Sequence, residues 1–156
     1  MVDMKSALAY SCNCYFAALA DEIGAGKLAK TMRQVGMDAD SRFELETSRN
    51  SIYLAKGATE SELVETAIGQ GRTGVTPLYM AMLASAFAND GMMMKPYIVD
   101  HVVYPDGTET KNTVPEKLTE ICTAEEAAAI KDMMIGVVSG GTGTAAAING
   151  VTVAGK

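Results

Sequence analysis

Thr123 is followed three residues later by Glu126, and then by apolar side chains at Ile130, Met133, Met134, Val137 and Val138. A threonine and a glutamate at that spacing form a capping box, each side chain satisfying a backbone N–H that a helix start leaves unpaired. The apolar positions recur every three or four residues, the period of one helix face. The sequence therefore predicts a long helix with one core-facing side, followed by a glycine-rich stretch at Gly140-Gly141-Thr142-Gly143-Thr144. The rest of the chain has to supply what covers that face.

Several segments read as helical partners. Leu8, Cys12, Tyr15, Phe16 and Leu19 recur at helical spacing over residues 4–23, which predicts a core-facing helix or a bent pair. Leu28, Met32 and Val35 predict another helix over 27–35, with Gly36 as its left-handed stop. The two pack as a hairpin around Gly24-Ala25-Gly26. Residues 37–61 lose periodicity and fill with Asp, Ser, Arg, Asn and Glu, so a long irregular segment is expected there. A helix resumes over 62–68. Thr76, with Pro77 in the first turn, caps another that runs to about Asn89 and ends at Gly91.

The β content is small. Residues 96–104 are rich in Val, Ile and Tyr and pair with 108–114 across a Pro105-Asp106-Gly107 turn, a short hairpin on the surface. Asn149-Gly150 forms a turn before residues 151–154, whose alternation predicts a C-terminal strand. The fold class is thus mainly α with a small β part, a surface hairpin plus a C-terminal strand, in one unit covering residues 1–156.

Composition excludes several functions. A net charge of −6 with 13 scattered Lys and Arg leaves no basic stripe for a phosphate backbone, so no nucleic acid partner is expected. No apolar run approaches the roughly 18 residues that cross a bilayer, and the N-terminus lacks a signal pattern, so the chain as given reads as soluble. Three cysteines are an odd number for a disulfide framework. Cys12 and Cys14 would point about 200° apart on a helix, which favours buried or inert thiols over a shared metal. His101 lacks a neighbouring ligand set and reads as a solvated or packed histidine. The eleven methionines, Met92 to Met94 among them, read as core and gap-filling residues. The glycine-rich stretch at 140–144 lacks the Lys-Ser/Thr ending of a phosphate loop. Glu125 and Glu126 belong to a helix start. No cofactor and no metal are expected.

Ser11-Cys12-Asn13 is the candidate site, offering a hydroxyl and an amide two residues apart near a helix start. On spacing alone the same residues also read as a helix cap beside a solvated neighbour. Order along the chain is more specific. Ala7-Leu8 precede Ser11-Cys12-Asn13; Gly69-Gln70-Gly71 precedes Val75-Thr76-Pro77-Leu78; Met80-Ala81, then Ala86, Ala88-Asn89 and Gly91 follow. Pro96-Tyr97-Ile98-Val99 come next, and Val137-Val138 with Gly141-Thr142-Gly143-Thr144-Ala145 lead to Val153-Ala154-Gly155-Lys156. This succession resembles the transpeptidase domain of penicillin-binding proteins, most closely the monofunctional class B group, over essentially the whole chain.

The resemblance implies the helical lobe of the serine transpeptidase/β-lactamase-like fold and a motif set of Ser-x-x-Lys, Ser-x-Asn and Lys-Thr-Gly. Ser11 and Asn13 match the second motif, and Lys156 matches the first residue of the third. No serine has a lysine three places on, so the nucleophile is none of the residues in this chain. The resemblance places Ser-x-x-Lys upstream of Met1 and the remaining Thr-Gly after Lys156, making 1–156 a partial domain. By the same resemblance Ser11 relays a proton, Asn13 hydrogen-bonds the substrate amide, and Lys156 supplies charge near Ser11 and the substrate carboxylate.

The implied parent is a peptidoglycan D,D-transpeptidase that cross-links stem peptides and binds β-lactams at the extracytoplasmic face of a bacterial membrane, held by an N-terminal anchor. Without a nucleophile this chain alone is expected to be inactive. A penicillin-sensing receptor domain and a catalytically silent interaction module of a wall-synthesis complex are the other readings. The free edge of the C-terminal strand makes self-association an expectation.

Overall fold

A computed structural model describes residues 2–54 and 57–156. Among these residues the chain forms α1 (Met4–Ala9), α2 (Asn13–Ile23), α3 (Ala25–Gln34), α4 (Glu60–Ala67), α5 (Pro77–Ala88) and α6 (Ala124–Gly140). The strands are β1 (Met92–Met94), β2 (His101–Val103), β3 (Glu109–Asn112) and β4 (Lys117–Glu120). Mainly α with a small β part is the architecture observed.

Helix α6 forms as expected. The Thr123 hydroxyl accepts from the Glu126 N–H at 3.2 Å while the Glu126 carboxylate accepts from the Thr123 N–H at 2.8 Å. Ala127, Val137 and Val138 are its buried residues, and Met133 and Met134 are half-buried. Helix α1 lies along α6 in the same sense. The Lys5 ammonium reaches Asp132 at 2.7 Å and its Cε lies over Gly136, while Ala9 meets Gly141 and Thr142 at the other end.

The segment 4–23 is the bent pair, broken at Tyr10–Cys12. Helices α2 and α3 form the expected hairpin, but Gly24 alone makes the turn at φ +81°, since Ala25 and Gly26 are already helical. Their core holds Ala20, Ala29, Leu54 and Leu63. A second core holds Tyr79, Met82, Ala86 and Met93, joining α5 to β1. Gly36 is the left-handed stop of α3 at φ +78°. Residues 37–50 carry no helix or strand, and Ser51 bridges Gly74 beyond them.

Several expectations are corrected. Helix α4 begins at Glu60, two residues before the predicted start, because Thr59 and Glu62 form a second capping box. Pairing of β1 with β4 was not anticipated; it joins Met92 to Glu120 and Met94 to Lys117. The β2–β3 hairpin forms, shorter than predicted. The C-terminal strand does not form: Val151 makes a single bridge to Ile148 across the Gly150 turn, and residues 152–156 have no ladder partner among the described residues. A strand exists only when another backbone takes its hydrogen bonds, and here the Gly155 N–H goes to the Met134 carbonyl of α6 at 3.2 Å.

Cys14 is exposed and not buried, because Cys12 is the residue preceding α2 and the two thiols do not share one regular helix. Cys12 and Cys122 are half-buried, and burial together with the neighbouring Glu126 and Glu120 raises the Cys122 thiol pKa. Met32, Met82 and Met93 are core residues, whereas Met4 and Met80 are exposed. No described helix is long and apolar enough to cross a membrane.

Candidate active site

Ser11 occupies a position that usually requires glycine. Helix α1 ends in a Schellman motif: the Cys12 N–H reaches the Ala7 carbonyl at 2.8 Å and the Ser11 N–H reaches Leu8 at 3.3 Å. That pattern forces the residue after the cap into the left-handed region, and Ser11 has φ +55°. Helices α3 and α4 end in the same pattern, with Gly36 at φ +78° and Gly69 at φ +78° in the equivalent place. Left-handed backbone costs a residue with a Cβ about 1–2 kcal/mol that glycine avoids. Ser11 shares this trait with Asp90, at φ +51° after α5 where the Gly91 N–H reaches the Ala86 carbonyl at 2.8 Å; of the two, Ser11 is the one in the Ser-x-Asn sequence.

The local structure also separates the two readings of Ser-x-Asn. Cys12 is the cap residue of α2 and no side chain makes the capping bond, so Ser11 is not a helix cap. Its side chain and that of Asn13, the first residue of α2, are exposed on either side of half-buried Cys12. Neither side chain has a hydrogen-bond partner among the described residues. They present a hydroxyl and an amide two residues apart, one acting as donor and acceptor and the other offering both groups.

Lys156 is exposed and follows Gly155, which packs on α6 through its bond to Met134 and lies against Val138. Among the described residues, the hydrogen bonds that connect the Gly155–Lys156 end to the end of α1 run through α6. One end of that helix takes the α1 terminus at Gly141 and Thr142; about two turns earlier, Met134 takes Gly155. No hydrogen bond or ion pair links the three side chains directly among the described residues. Ser11 and Asn13 stand two residues apart at the α1–α2 junction, and Lys156 follows the residue that α6 holds through Met134.

Other chemistry-bearing residues do not compete with this locus. His101 is exposed, with its Nδ1 3.1 Å from the adjacent Asp100 carboxylate. No group of three His, Cys, Asp or Glu side chains gathers among the described residues. Depressed carboxylates serve structure: Glu126, Glu62 and Asp3 are held below the usual range chiefly by backbone N–H groups at helix starts. A cavity of about 550 Å3 lies between residues 36–50 and α5, with Tyr79, Met82, Met93 and Leu118 in its lining. It does not include Ser11, Asn13 or Lys156. Sequence reasoning passed over Gly141 and Thr142 as site residues, although the glycine run itself was visible.

Comparison with known proteins decides the family. A family model described as the penicillin binding protein transpeptidase domain matches residues 1–156. The chain belongs to the penicillin-binding-protein transpeptidase family. It is 31% identical to penicillin-binding protein 3 of Bacillus subtilis over 99% of this chain and 22% of that protein. It is 33% identical to the peptidoglycan D,D-transpeptidase PbpA of Mycolicibacterium smegmatis, over 99% of this chain and 31% of that protein. The chain thus spans less than a third of the length of these curated relatives.

The fold agrees. A solved D,D-transpeptidase domain of a peptidoglycan glycosyltransferase from Eggerthella lenta superposes with a TM-score of 0.89 at 34% identity, covering 98% of this chain and 40% of that one. Penicillin-binding protein A of Mycobacterium tuberculosis, solved as an imipenem acyl-enzyme complex, gives a TM-score of 0.88 at 29% identity over 99% of this chain and 35% of that one. The architecture is accordingly that of the serine transpeptidase/β-lactamase-like fold, and this family's motif order is the frame in which Ser11, Asn13 and Lys156 are read.

Proposed function

We propose that this chain is a partial transpeptidase domain, contributing the Ser-x-Asn segment and the first residue of the Lys-Thr-Gly segment of a peptidoglycan D,D-transpeptidase site, with Ser11 as proton relay, Asn13 as the donor and acceptor for the substrate amide, and Lys156 as the cation of that site. The observation that carries the reading is Ser11, a serine kept in a left-handed helix-stop position and left without a structural partner for its hydroxyl. The substrate class is a stem peptide ending in D-alanyl-D-alanine, and β-lactams are its mimics. The site faces peptidoglycan, outside the cytoplasmic membrane.

Acyl transfer needs an activated nucleophile and donors for the oxyanion. This sequence contains no Ser-x-x-Lys, so the acylated serine belongs to another segment of the protein that carries this chain. Two assays test the reading. Labelled penicillin added to the full-length protein gives one covalent adduct by mass spectrometry, and Ser11→Ala or Asn13→Ala slows its formation by about 100-fold or more, the scale of a lost general acid–base group. The chain of residues 1–156 alone gives no adduct. Absence of label on the full-length protein, or a stoichiometric adduct on residues 1–156, overturns the proposal.

A further inference from the structure

A left-handed serine persists only where the surroundings over-determine it. The two bonds of the Schellman motif are one part of that, and α3 and α4 show that the same bonds are made with glycine. The other part comes from 133 residues away in sequence: the Ala9 carbonyl, two residues before Ser11, accepts from the Thr142 N–H at 2.9 Å and from the Thr142 hydroxyl at 3.4 Å. Ala9 is the last residue of α1, so this carbonyl has no acceptor role inside its own helix.

The delivery of Thr142 is tightly constrained. The N–H groups of Gly141 and Gly143 both bond the Val137 carbonyl, at 3.1 and 3.0 Å, wrapping the loop around the end of α6. Val137 is 1% exposed and cannot move independently of the core. Gly141 has φ −105°, outside the left-handed region, so a positive φ is not what asks for glycine here. Its surroundings do: a Cβ there would sit 2.2 Å from the Ala9 oxygen and 2.8 Å from the Ala9 carbon. The two backbones meet at a distance only glycine permits.

Resting on the assignment of Ser11 and Asn13 to the site, we propose that Thr142, brought against the Ala9 carbonyl by side-chain-free Gly141, is a positioning residue for Ser-x-Asn. It fixes the end of α1 and thereby the direction of the Ser11 hydroxyl. Thr142 itself touches neither substrate nor reacting atoms in this role. Because Val137 and Met134 stand one turn apart on α6, the same helix sets Ser11 and the approach to Lys156 in a common frame.

The test uses the full-length protein that carries this segment and follows acylation by a fluorescent penicillin, separating affinity before acylation from the acylation rate constant. Gly141→Ala is expected to lower the rate constant by about tenfold or more, the scale of a sub-ångström to ångström misplacement, with pre-acylation affinity nearly unchanged. Thr142→Val gives a smaller fall, and Thr142→Ser restores the wild-type rate. Thr123→Ala, which weakens the opposite end of the same helix, leaves the rate constant of the folded protein unchanged.

A folded Gly141→Ala protein with the wild-type rate constant, or an equal fall in Thr123→Ala, overturns the proposal. Should Gly141→Ala fail to fold, the valine and serine variants decide, and equal rates in both overturn it. A wild type that takes no label refutes the function proposed above instead. The positioning role is then judged on the Ser11 backbone, whose amide-to-α-proton coupling must change in Thr142→Val and be restored in Thr142→Ser.

Discussion

Helices α1 and α3 terminate in the same pair of hydrogen bonds, with Ser11 in the left-handed position of one and Gly36 in that of the other. Each end is also gripped from outside. Thr142 donates to the Ala9 carbonyl at 2.9 Å, and the Tyr79 hydroxyl donates to the Val35 carbonyl at 3.1 Å. The α3 end uses glycine and a buried tyrosine. The α1 end accepts an unfavourable backbone at an exposed serine and takes its outside donor from a backbone N–H. The two stops have equal geometry and unequal chemistry, and the proposed site rests on that inequality.

The heaviest blow to one side of this comparison is Gly141→Ala. Its Cβ has no space against the Ala9 carbonyl, so denaturant unfolding should show a loss of about 3 kcal/mol or more, the upper range for an overpacked contact that backbone must absorb. A loss below about 1 kcal/mol would mean that the α1 end yields freely.

Tyr79→Phe strikes the other side. It removes a buried hydroxyl donor to Val35 and should cost about 1 kcal/mol at neutral pH. Burial pushes the Tyr79 hydroxyl pKa up from 10.0 to about 12. Between those values the unfolded chain has lost the proton while the folded one retains it, so stability falls as pH rises. Unfolding midpoints measured from pH 9 to 12 should slope downward in the wild type and less steeply in the variant. Identical slopes would show that Tyr79 is not shielded.

Gly36→Ala isolates the conformational cost. The nearest atom to a Cβ there is Thr119 Cγ2 at 3.8 Å, ordinary contact, so the expected loss of about 1 kcal/mol comes from φ +78° alone. Ser11→Gly is the mirror experiment and the smallest effect, a gain of about 0.5–1 kcal/mol after allowing for the greater freedom of glycine in the unfolded chain. Stability should rise while acylation of the full-length protein falls. A variant that is no more stable would show that Ser11 is relaxed where it stands.

What the letters revealed follows from the same contrast. Gly36 was readable as a stop because glycine announces the left-handed region, whereas Ser11 hid an identical stop and left the 4–23 segment ambiguous between one helix and a bent pair. Thr123 with Glu126 was legible before a long apolar stripe; Thr59 with Glu62 makes the same box before an eight-residue helix whose one buried side chain is Leu63, and it passed unread. The β1–β4 pair joins residues more than twenty positions apart through three- and four-residue strands, too short for any period to show. Residues 151–154 had the alternation of a strand, but pairing is a property of two backbones. For the proposed site, Ser11, Asn13 and Lys156 were named from motif order, while the contact of Thr142 with Ala9 joins residues 133 apart, which no local spacing encodes.

The Val137 and Met134 carbonyls give α6 the character of a gauge with two marks. Each residue along a helix adds 1.5 Å of rise and 100° of rotation. A residue inserted before Met134 carries both marks along together and leaves their separation unchanged. One inserted between Met134 and Val137 turns the loop at 141–143 away from the place where Gly155 docks. Only an insertion across those three positions should therefore uncouple the docking of Gly155 from that of the 141–143 loop, while one nearer the helix start disturbs the packing of Ala127 and leaves the two marks in register.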